Sequence, residues 1–511
     1  MRKKLFFYGA LLCAVLVVSC SGSAVKDPIT VGPDVRNGTA FLETGFLMAN
    51  GDALHPRYGF DAAACVATGG LYFGYPSSIG TYSYYAFNAY IDCTPGGTYA
   101  TAHWVWLSSG DDTAVFDTGI FGLEPSANIA IKYPMVDVLH MDSEGYVYAA
   151  VAFNWRWGIG LWNLGVVSLR WSEADFLNGS LGDPEVGYYF LPNPDSLNRY
   201  SHDIAFHPGT KDIYVVFSEV TGLNETNLKY FVLHRYGSPD DWSLLDNAGP
   251  FDAAYNPGSD RAYWFPRIDI GELDDMPLTE STYYGDGEVF VGVVATCYRF
   301  AGSGDTYYRV AGNYWTPEVD GYDDQTVHTT HWQNPDFDEN DAGMPVIDIS
   351  PDTGTNSHFF AIAYIQEVDD DHGYEVWEVD NKAGDAMEVI HSGAEDRCQV
   401  LPSIAYDYHH QGTDHTASVS FYENLSDGAP GTSWKPQTCM VNLDDDVVQN
   451  NSWGEIDTAL FGTFDLYSMA TNKAGCGSAI CLVGDDSYWL LYTNQVDEYT
   501  TDIYAAFDKI F

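Results

Sequence analysis

The sequence predicts an all-β protein, a seven-bladed β-propeller of four-stranded antiparallel blades. Three observations predict this class: a motif recurs along the chain, the segments that follow it alternate apolar and polar residues, and no convincing amphipathic helix interrupts them. Alternation rich in β-branched and aromatic residues, separated by Gly, Asp and Asn turns, is typical of strands. Self-similarity along the whole chain indicates a repeat architecture.

The recurring motif is a short, largely apolar run followed by a polar turn and a longer alternating run. The starts lie 57 to 79 residues apart, which is enough for four strands with their loops, or one propeller blade. We expect each short run to be an innermost strand and each alternating run to be the second strand. The seven short runs are PRYGFD at Pro56, PMVDVL at Pro134, HDIAFH at His202, PRIDIG at Pro266, PVIDIS at Pro345, PSIAYD at Pro402 and YSMATN at Tyr467.

The blades are predicted to form one domain over residues 39–511. Closing the ring removes exposed sheet edges. Either the segment TAFLETGFLMA near residue 40 or the C-terminal TDIYAAFDKIF is expected to complete the last blade. Two separate β-sandwich domains are the alternative, although no linker rich in Pro, Ser or Gly divides the chain.

The N-terminus resembles the signal peptide of a bacterial lipoprotein. Residues 1–19 hold a basic MRKK segment and an apolar run that is short for a membrane span, and VVSC ends at Cys20. The resemblance implies lipidation of Cys20, a tether over residues 20–38, and attachment at the bacterial outer membrane or cell surface. A plain secretory peptide is the alternative.

The charge balance excludes one class of partner. The chain carries 72 acidic and 22 basic residues, a formal net charge of −50. Nucleic acids are therefore not expected as partners, because phosphate contacts need clustered cationic side chains. Disorder is not expected either, because 46% of residues are hydrophobic and 15% are aromatic.

The repeats resemble bacterial β-propeller repeats of the broad BNR, or sialidase-like, type, in which an apolar P-x-I-A strand precedes an alternating strand. The sialidase Asp box is present in part, as SPDTGTNS from Ser350, without its Thr and Trp. Sialidases also use three arginines, a Tyr with a Glu, and an acidic Asp, and that set is not assignable in this sequence. The resemblance therefore implies the fold more strongly than the sialidase reaction.

Two positions of the motif suggest a ligand site. The fourth position holds Asp137, Asp269 and Asp348, and the second holds Arg57 and Arg267. In a propeller these positions lie near the axis, where buried carboxylates need a cation or hydrogen bonds. An Arg at the channel mouth can bind a carboxylate or sulfate through two hydrogen bonds. The alternatives are Asp side chains that cap backbone amides, and Arg side chains that form salt bridges.

A possible catalytic set shares these positions. His202 begins the third unit, with Tyr200 nearby, and it would be joined by Arg57 and Arg267. This resembles the set in propeller polysaccharide lyases, where His or Tyr removes a proton and Arg neutralises the uronate. An axial Asp could serve as acid or base.

The segment DFDENDAGMPVID resembles a calcium-binding loop. Asp336, Asp338, Asn340 and Asp341 supply oxygen ligands, and calcium prefers such ligands. The segment lacks the usual Gly at the sixth place and Glu at the twelfth. The alternative is an acidic, solvated loop.

Three functions follow from these observations. The first is a surface-tethered, non-enzymatic propeller that binds a glycan or an extracellular or envelope protein, with calcium ordering its loops. The second is a glycan-active enzyme, either a polysaccharide lyase or a glycoside hydrolase, acting in the central channel. The third is a scaffold for envelope assembly. The sequence favours the first, because no complete catalytic motif is present.

Overall fold

The structure is a computed structural model of the 511-residue chain. It describes residues 46–49, 67–76, 82–93, 100–108, 115–121, 129–141, 144–157, 160–178, 181–222, 225–235, 245–253, 261–273, 277–278, 282–283, 288–300, 306–315, 332–333, 342–349, 360–367, 374–380, 387–389, 398–406, 416–424, 433–442, 447–452, 458–459, 478–482, 487–497 and 500–509.

The first three sheets each contain four consecutive antiparallel strands. Strand β1 (Phe46–Ala49) precedes them and belongs to the last sheet. The first sheet contains β2 (Ala67–Pro76), β3 (Tyr82–Cys93), β4 (Ala100–Ser108) and β5 (Val115–Phe121). The second contains β6 (Ile129–Met141), β7 (Tyr146–Trp157), β8 (Asn163–Ser172) and β9 (Glu185–Phe190), with helix α1 (Glu173–Leu177) after β8. The third contains β10 (Asn198–Phe206), β11 (Ile213–Gly222), β12 (Glu225–Arg235) and β13 (Leu245–Asp252).

The next three sheets follow the same plan with small additions. The fourth contains β14 (Arg261–Leu273), β17 (Glu288–Phe300), β18 (Thr306–Trp315) and β19 (Trp332–Gln333), and the hairpin of β15 (Pro277–Leu278) and β16 (Thr282–Tyr283) lies between its first two strands in the chain. The fifth contains β20 (Ala342–Ile349), β21 (Phe360–Glu367), β22 (Tyr374–Asp380) and β23 (Met387–Val389). The sixth contains β24 (Cys398–Tyr406), β25 (Thr416–Asn424), β26 (Ser433–Asn442), β27 (Val447–Ser452) and a short addition, β28 (Thr458–Ala459).

The last sheet combines both ends of the chain. It contains β29 (Ser478–Leu482), β30 (Ser487–Asp497) and β31 (Thr500–Lys509), and β1 pairs antiparallel with β31, with Phe46 opposite Ala505. The sequence suggested that one terminal segment or the other completes this sheet, and the structure uses both. Pairing with β1 covers a β31 edge that would otherwise expose backbone donors and acceptors.

The first strands of the sheets, β2, β6, β10, β14, β20, β24 and β29, contact one another in that order, and β2 also contacts β29. The prediction of a nearly all-β chain with four-stranded antiparallel sheets is confirmed. None of the described sheets closes on itself, and the seven-bladed ring stays a prediction. Within the described residues, no helix has the length and apolar character needed to cross a membrane.

The motif alignment is right for five units and wrong for the first and last. The runs at Pro134, His202, Pro266, Pro345 and Pro402 lie in first strands, as expected. In the first and last units the alternating runs that follow the short runs are GLYFGY from Gly70 and SAICLVG from Ser478, and both were therefore expected in second strands. Instead, GLYFGY lies in the edge strand β2, and its counterpart begins the edge strand β29. The runs at Pro56 and Tyr467 lie outside the described residues. Both errors arise because apolar alternation does not distinguish an edge strand from its neighbour.

The five correctly placed strands share a backbone irregularity. In each, the register against the second strand shifts where the motif begins, as between Lys132 and Met135 in β6. At each shift one residue other than glycine adopts a left-handed conformation, with φ between 38° and 58°: Tyr133, Ser201, Phe265, Met344 and Leu401. Such conformations cost about 1–3 kcal/mol each and persist only where the surrounding structure imposes them. The shared bulge sets the direction of the motif side chains that follow it.

The core lies between consecutive sheets. Aromatic residues of the first two sheets pack together, with Phe87 and Trp106 5.0 Å apart and Trp104 and Trp171 5.2 Å apart between ring centroids. Similar apolar clusters join the second sheet to the third and the third to the fourth. Because the faces of the sheets bury the apolar surface, the first strands are free to carry polar side chains.

Candidate functional site

The second and fourth motif positions lie on one side of each first strand, because side chains two residues apart in a strand point the same way. They bring together a group that we call the inner-strand cluster: Asp137 on β6, Asp203 on β10, Arg267 and Asp269 on β14, and Asp348 on β20. The third-position residues Val136, Ile204 and Ile268 are buried on the opposite side and hold the strands in place.

Asp137 links the second sheet to the third. Its Oδ1 accepts a hydrogen bond from the N–H of Val138 at 2.8 Å, and its Oδ2 accepts one from the N–H of Phe206 at 2.6 Å. Burial raises the pKa of the Asp137 carboxyl, the hydrogen bond from Phe206 opposes the rise, and the nearby charges of Asp269 and Asp203 add to it, so that the pKa is about 7. Asp137 is therefore a carboxyl group that is substantially protonated at neutral pH.

Asp203 links the third sheet to the fourth and faces a cation. Its Oδ2 accepts a hydrogen bond from the N–H of Ile268 at 3.0 Å, and its Oδ1 lies 3.9 Å from Nη1 of Arg267. Burial raises the pKa of Asp203 to about 6, and Arg267 opposes that rise. At neutral pH most of this carboxyl is therefore ionised.

Asp269 repeats the arrangement one sheet further. Its Oδ2 accepts a hydrogen bond from the N–H of Ile349 at 2.6 Å. Burial raises its pKa, while hydrogen bonds with Asp348 and with the backbone of Ile349 oppose the rise. Two carboxyl groups that hydrogen-bond to each other share a proton, so their titrations are coupled. The expectation that motif Asp side chains cap backbone amides therefore describes Asp137 and Asp269 well.

Arg267 is the accessible cation of the cluster. Its side chain is 31% exposed, and its Nη1 also lies 3.1 Å from Sδ of Met135 on β6. Its donors are not all used by the 3.9 Å contact with Asp203, so the guanidinium can bind an oxygen-rich ligand as well.

His202 is near the cluster but buried, at 3% exposure. Its Nδ1 lies 3.2 Å from Oδ1 of Asn154, whose amide nitrogen donates to the carbonyl of Arg199. Burial, assisted by the charge of Arg267, lowers the pKa of His202 to about 4. The imidazole is therefore neutral at pH 7, and a substrate would have to displace neighbouring side chains to reach it. A catalytic role for His202 stays a prediction from the sequence.

The other predicted site residues lie outside the described residues: Arg57, Cys20, and the proposed calcium ligands Asp336, Asp338, Asn340 and Asp341. Among the residues that the structure does describe, no group of three or more His, Cys, Asp or Glu side chains is placed to hold a metal ion. Calcium binding and lipidation stay predictions.

Asp203 was not among the site residues expected from the sequence, although it is the second residue of HDIAFH. Sequence reasoning also missed Arg156, which lies at the end of β7, Trp162, which precedes β8, and Trp264 on β14. The signal that could have found Asp203 is its motif position, which it shares with Arg267. No sequence signal indicates Arg156.

No protein-family model matches the chain, and no curated protein matches it in sequence. Among solved structures, the sialidase of Trypanosoma rangeli in complex with sialic acid is 11% identical, with a TM-score of 0.37; the match covers 76% of this chain and 55% of that one. An α-L-arabinofuranosidase from Fusarium graminearum is 8% identical, with 89% and 98% covered and a TM-score of 0.36. The parainfluenza virus 5 hemagglutinin-neuraminidase ectodomain is 8% identical, with 100% and 97% covered and a TM-score of 0.37.

These comparisons correct the first functional interpretation. A non-enzymatic binding protein was favoured from the sequence, but the structures to which the chain is similar are named as a sialidase, an arabinofuranosidase and a neuraminidase. The interpretation as a non-enzymatic binder is therefore wrong, and its alternative, a glycan-active enzyme, is a proposal.

Proposed function

We propose that the chain is a glycoside hydrolase whose reaction takes place in the central channel of a seven-bladed β-propeller. The contacts among the seven first strands run in chain order and return from β29 to β2, which supports the ring, and four of these strands carry the inner-strand cluster. The observation that carries the function is a carboxyl group with a pKa of about 7, Asp137, beside a second carboxyl group of lower pKa, Asp203, and the accessible Arg267.

The two carboxyl groups suit the two roles of glycoside hydrolysis. Asp137 in its protonated form donates a proton to the oxygen of the leaving sugar. Asp203, mostly ionised beside Arg267, acts on the anomeric carbon directly as a nucleophile or through a water molecule as a base. The separation of the two carboxyl groups in the substrate complex decides between these routes.

Arg267 has a positioning role in this mechanism. Its charge holds Asp203 in the ionised form, and its exposed donors bind an oxygen of the substrate. The lyase alternative is less well supported, because it requires His202 to reach the substrate and the His202 ring is buried.

We also infer that the enzyme acts at the cell envelope, held by a lipid on Cys20. The support is the leader sequence, in which a basic segment and a short apolar run end at VVSC. Radiolabelled palmitate incorporation that is lost in Cys20→Ala would support this location, and unchanged incorporation would contradict it.

The function is tested with the full-length protein in detergent on neutral, uronate-containing and sulfated polysaccharides, with reducing ends measured. We expect the wild type to release reducing ends. Asp137→Asn should lower kcat/KM by about 100-fold or more, since a positioned general acid contributes about 10²–10⁴-fold. Arg267→Gln should also lower it.

Arg309→Gln is the matched control for Arg267. Arg309 lies on β18, in the same sheet as Arg267, and its own Nη1 donates to the carbonyl of Tyr308. Wild-type kcat/KM is expected for this variant. No product from any of the three polysaccharide classes, or wild-type turnover by a folded Asp137→Asn variant, would overturn the proposal.

A further inference from the structure

Arg156, at the end of β7, differs from three other arginines of the structure, each of which faces a carboxylate. Arg170 lies 2.5 Å from Glu185, Arg199 lies 3.0 Å from Glu219, and Arg267 faces Asp203. Within the described part of the chain Arg156 forms no ion pair, and its Nε is buried without a hydrogen-bond partner. This is unexpected in a chain with 72 acidic residues. A buried donor without an acceptor costs free energy, which a ligand acceptor would recover.

The surroundings of Arg156 are aromatic. Its guanidinium carbon lies 4.4 Å from the centroid of the Trp162 ring, and its charge acts on the Tyr200 hydroxyl. The Tyr200 ring lies 6.4 Å from that of Trp264 between centroids. A guanidinium stacked on an indole keeps its edge free for hydrogen bonding to an anion.

Two of these aromatic residues, Tyr200 and Trp264, lie on the same strands as members of the inner-strand cluster. Tyr200 precedes the bulge of β10, and Asp203 follows it on the same strand. Trp264 precedes the bulge of β14, and Arg267 follows it. Each strand therefore carries an aromatic residue on one side of its bulge and a cluster residue on the other.

The loop after β7 adds exposed apolar surface at the same end of the sheet. The N–H of Gly160 donates to the carbonyl of Trp157 at 2.9 Å, which closes a tight turn. Trp157 and Leu161 are both exposed beside this turn. Exposed indole and unpaired guanidinium groups together suit a sugar ring that carries an acidic substituent, because one group contacts the apolar ring face and the other the anion.

We propose that Arg156, stacked on Trp162 beside Tyr200, forms a subsite for an anionic sugar, bearing a carboxylate or a sulfate, of the glycan that the channel processes. This rests on the proposed function in so far as the ligand is a glycan. The net charge of −50 repels a polyanion at long range. That repulsion is screened beyond about 8 Å at physiological ionic strength, so contacts at the subsite decide the affinity.

The test is calorimetric binding, which needs no turnover. The full-length protein in detergent is titrated with tetragalacturonate, with a sulfated carrageenan tetrasaccharide and with neutral xylotetraose. We expect Arg156→Gln to weaken binding of an anionic probe by about 10–100-fold, the range for a hydrogen bond to a charged group. Binding of xylotetraose should not change. Arg156→Lys should recover part of the affinity, and Arg309→Gln should behave as wild type.

The outcomes separate the subsite from the proposed reaction. If Arg156→Gln binds only the uronate probe more weakly than wild type does, or only the sulfated probe, the subsite is supported and its anion is identified. The subsite is overturned if wild type and Arg156→Gln bind the anionic probes with equal affinity. It is also overturned if the wild type binds only the neutral probe or binds no probe. Glycan cleavage that Arg156→Gln leaves unchanged overturns the subsite and keeps the hydrolase. Binding that depends on Arg156 without cleavage of any glycan keeps the subsite and overturns the hydrolase.

Discussion

Replacing Asp137 by Asn tests the state of the carboxyl group on which the proposed reaction depends. Asn has nearly the same shape but no charge. In the wild type the two oxygens of Asp137 accept hydrogen bonds from the N–H groups of Val138 and Phe206. The Asn side chain has only one oxygen to accept from these two N–H groups. The buried N–H that loses its acceptor costs about 1–3 kcal/mol. At pH 5, where Asp137 of the folded protein is protonated, the variant should therefore be less stable than wild type by about that amount.

The size of the effect changes with pH. The folded-state pKa of Asp137, about 7, lies above the ordinary value of 3.8, so between these values the folded protein binds more protons than the unfolded chain. Stability contributed by the protonated carboxyl is therefore lost as pH rises to about 7. From pH 5 to 8 this corresponds to about 3 kcal/mol, at about 1.4 kcal/mol for each pH unit until the folded-state carboxyl itself ionises near pH 7. Solvent at the exposed part of the side chain reduces it to about 1.5–3 kcal/mol.

The assay is equilibrium urea unfolding followed by tryptophan fluorescence from pH 5 to 8 at constant ionic strength. The difference in free energy of unfolding between variant and wild type should move by about 1.5–3 kcal/mol in favour of Asn over this range. Asp252→Asn, on the outermost strand β13, is the control, because that side chain is half exposed and pairs with Lys229. A difference for Asp137→Asn that stays constant from pH 5 to 8 would show that this carboxyl is ionised throughout. Its role as a proton donor would then fail.

Two further predictions concern the buried imidazole and the last sheet. Burial lowers the pKa of His202 from 6.5 to about 4, so wild-type stability should fall as pH decreases through this window. In His202→Gln the loss between pH 7 and 5, measured by urea unfolding, should be smaller by about 2 kcal/mol, and equal losses would contradict the buried, neutral state. Removing residues 1–49 deletes β1 and exposes the edge of β31, so this protein should melt at a lower temperature and aggregate more than one lacking only residues 1–38. Equal melting temperatures would show that β1 does not protect that edge.

The strands could be predicted from the sequence because their pattern is local. The runs at Pro134, Pro266 and Pro345 all lie in first strands, as their apolar character and the following turn indicated. The first and last units were misaligned, since GLYFGY alternates as well in an edge strand as in a second strand. The left-handed residue in each bulge had no sequence signal, because Tyr133 and Phe265 are not residues that favour that conformation.

The candidate site was predicted by position rather than by chemistry. The motif placed Asp137, Arg267 and Asp269 on equivalent strands, and the structure brings them together. It did not predict which carboxyl group would be protonated, because that depends on burial and on neighbouring charges from other sheets. Arg156 could not be selected either, since only the fold shows that an arginine lacks a carboxylate partner.

The amino-acid sequence alone determined the all-β class, the repeated strands, the acidic surface and the motif positions that carry Asp and Arg, because strand periodicity and composition are properties of neighbouring residues. The tertiary structure decided what those residues do. The carboxylates of Asp137, Asp203 and Asp269 meet backbone N–H groups that lie 69, 65 and 80 residues further along the chain. Their pKa values and their partners arise only when consecutive sheets pack together and remove water from the space between them.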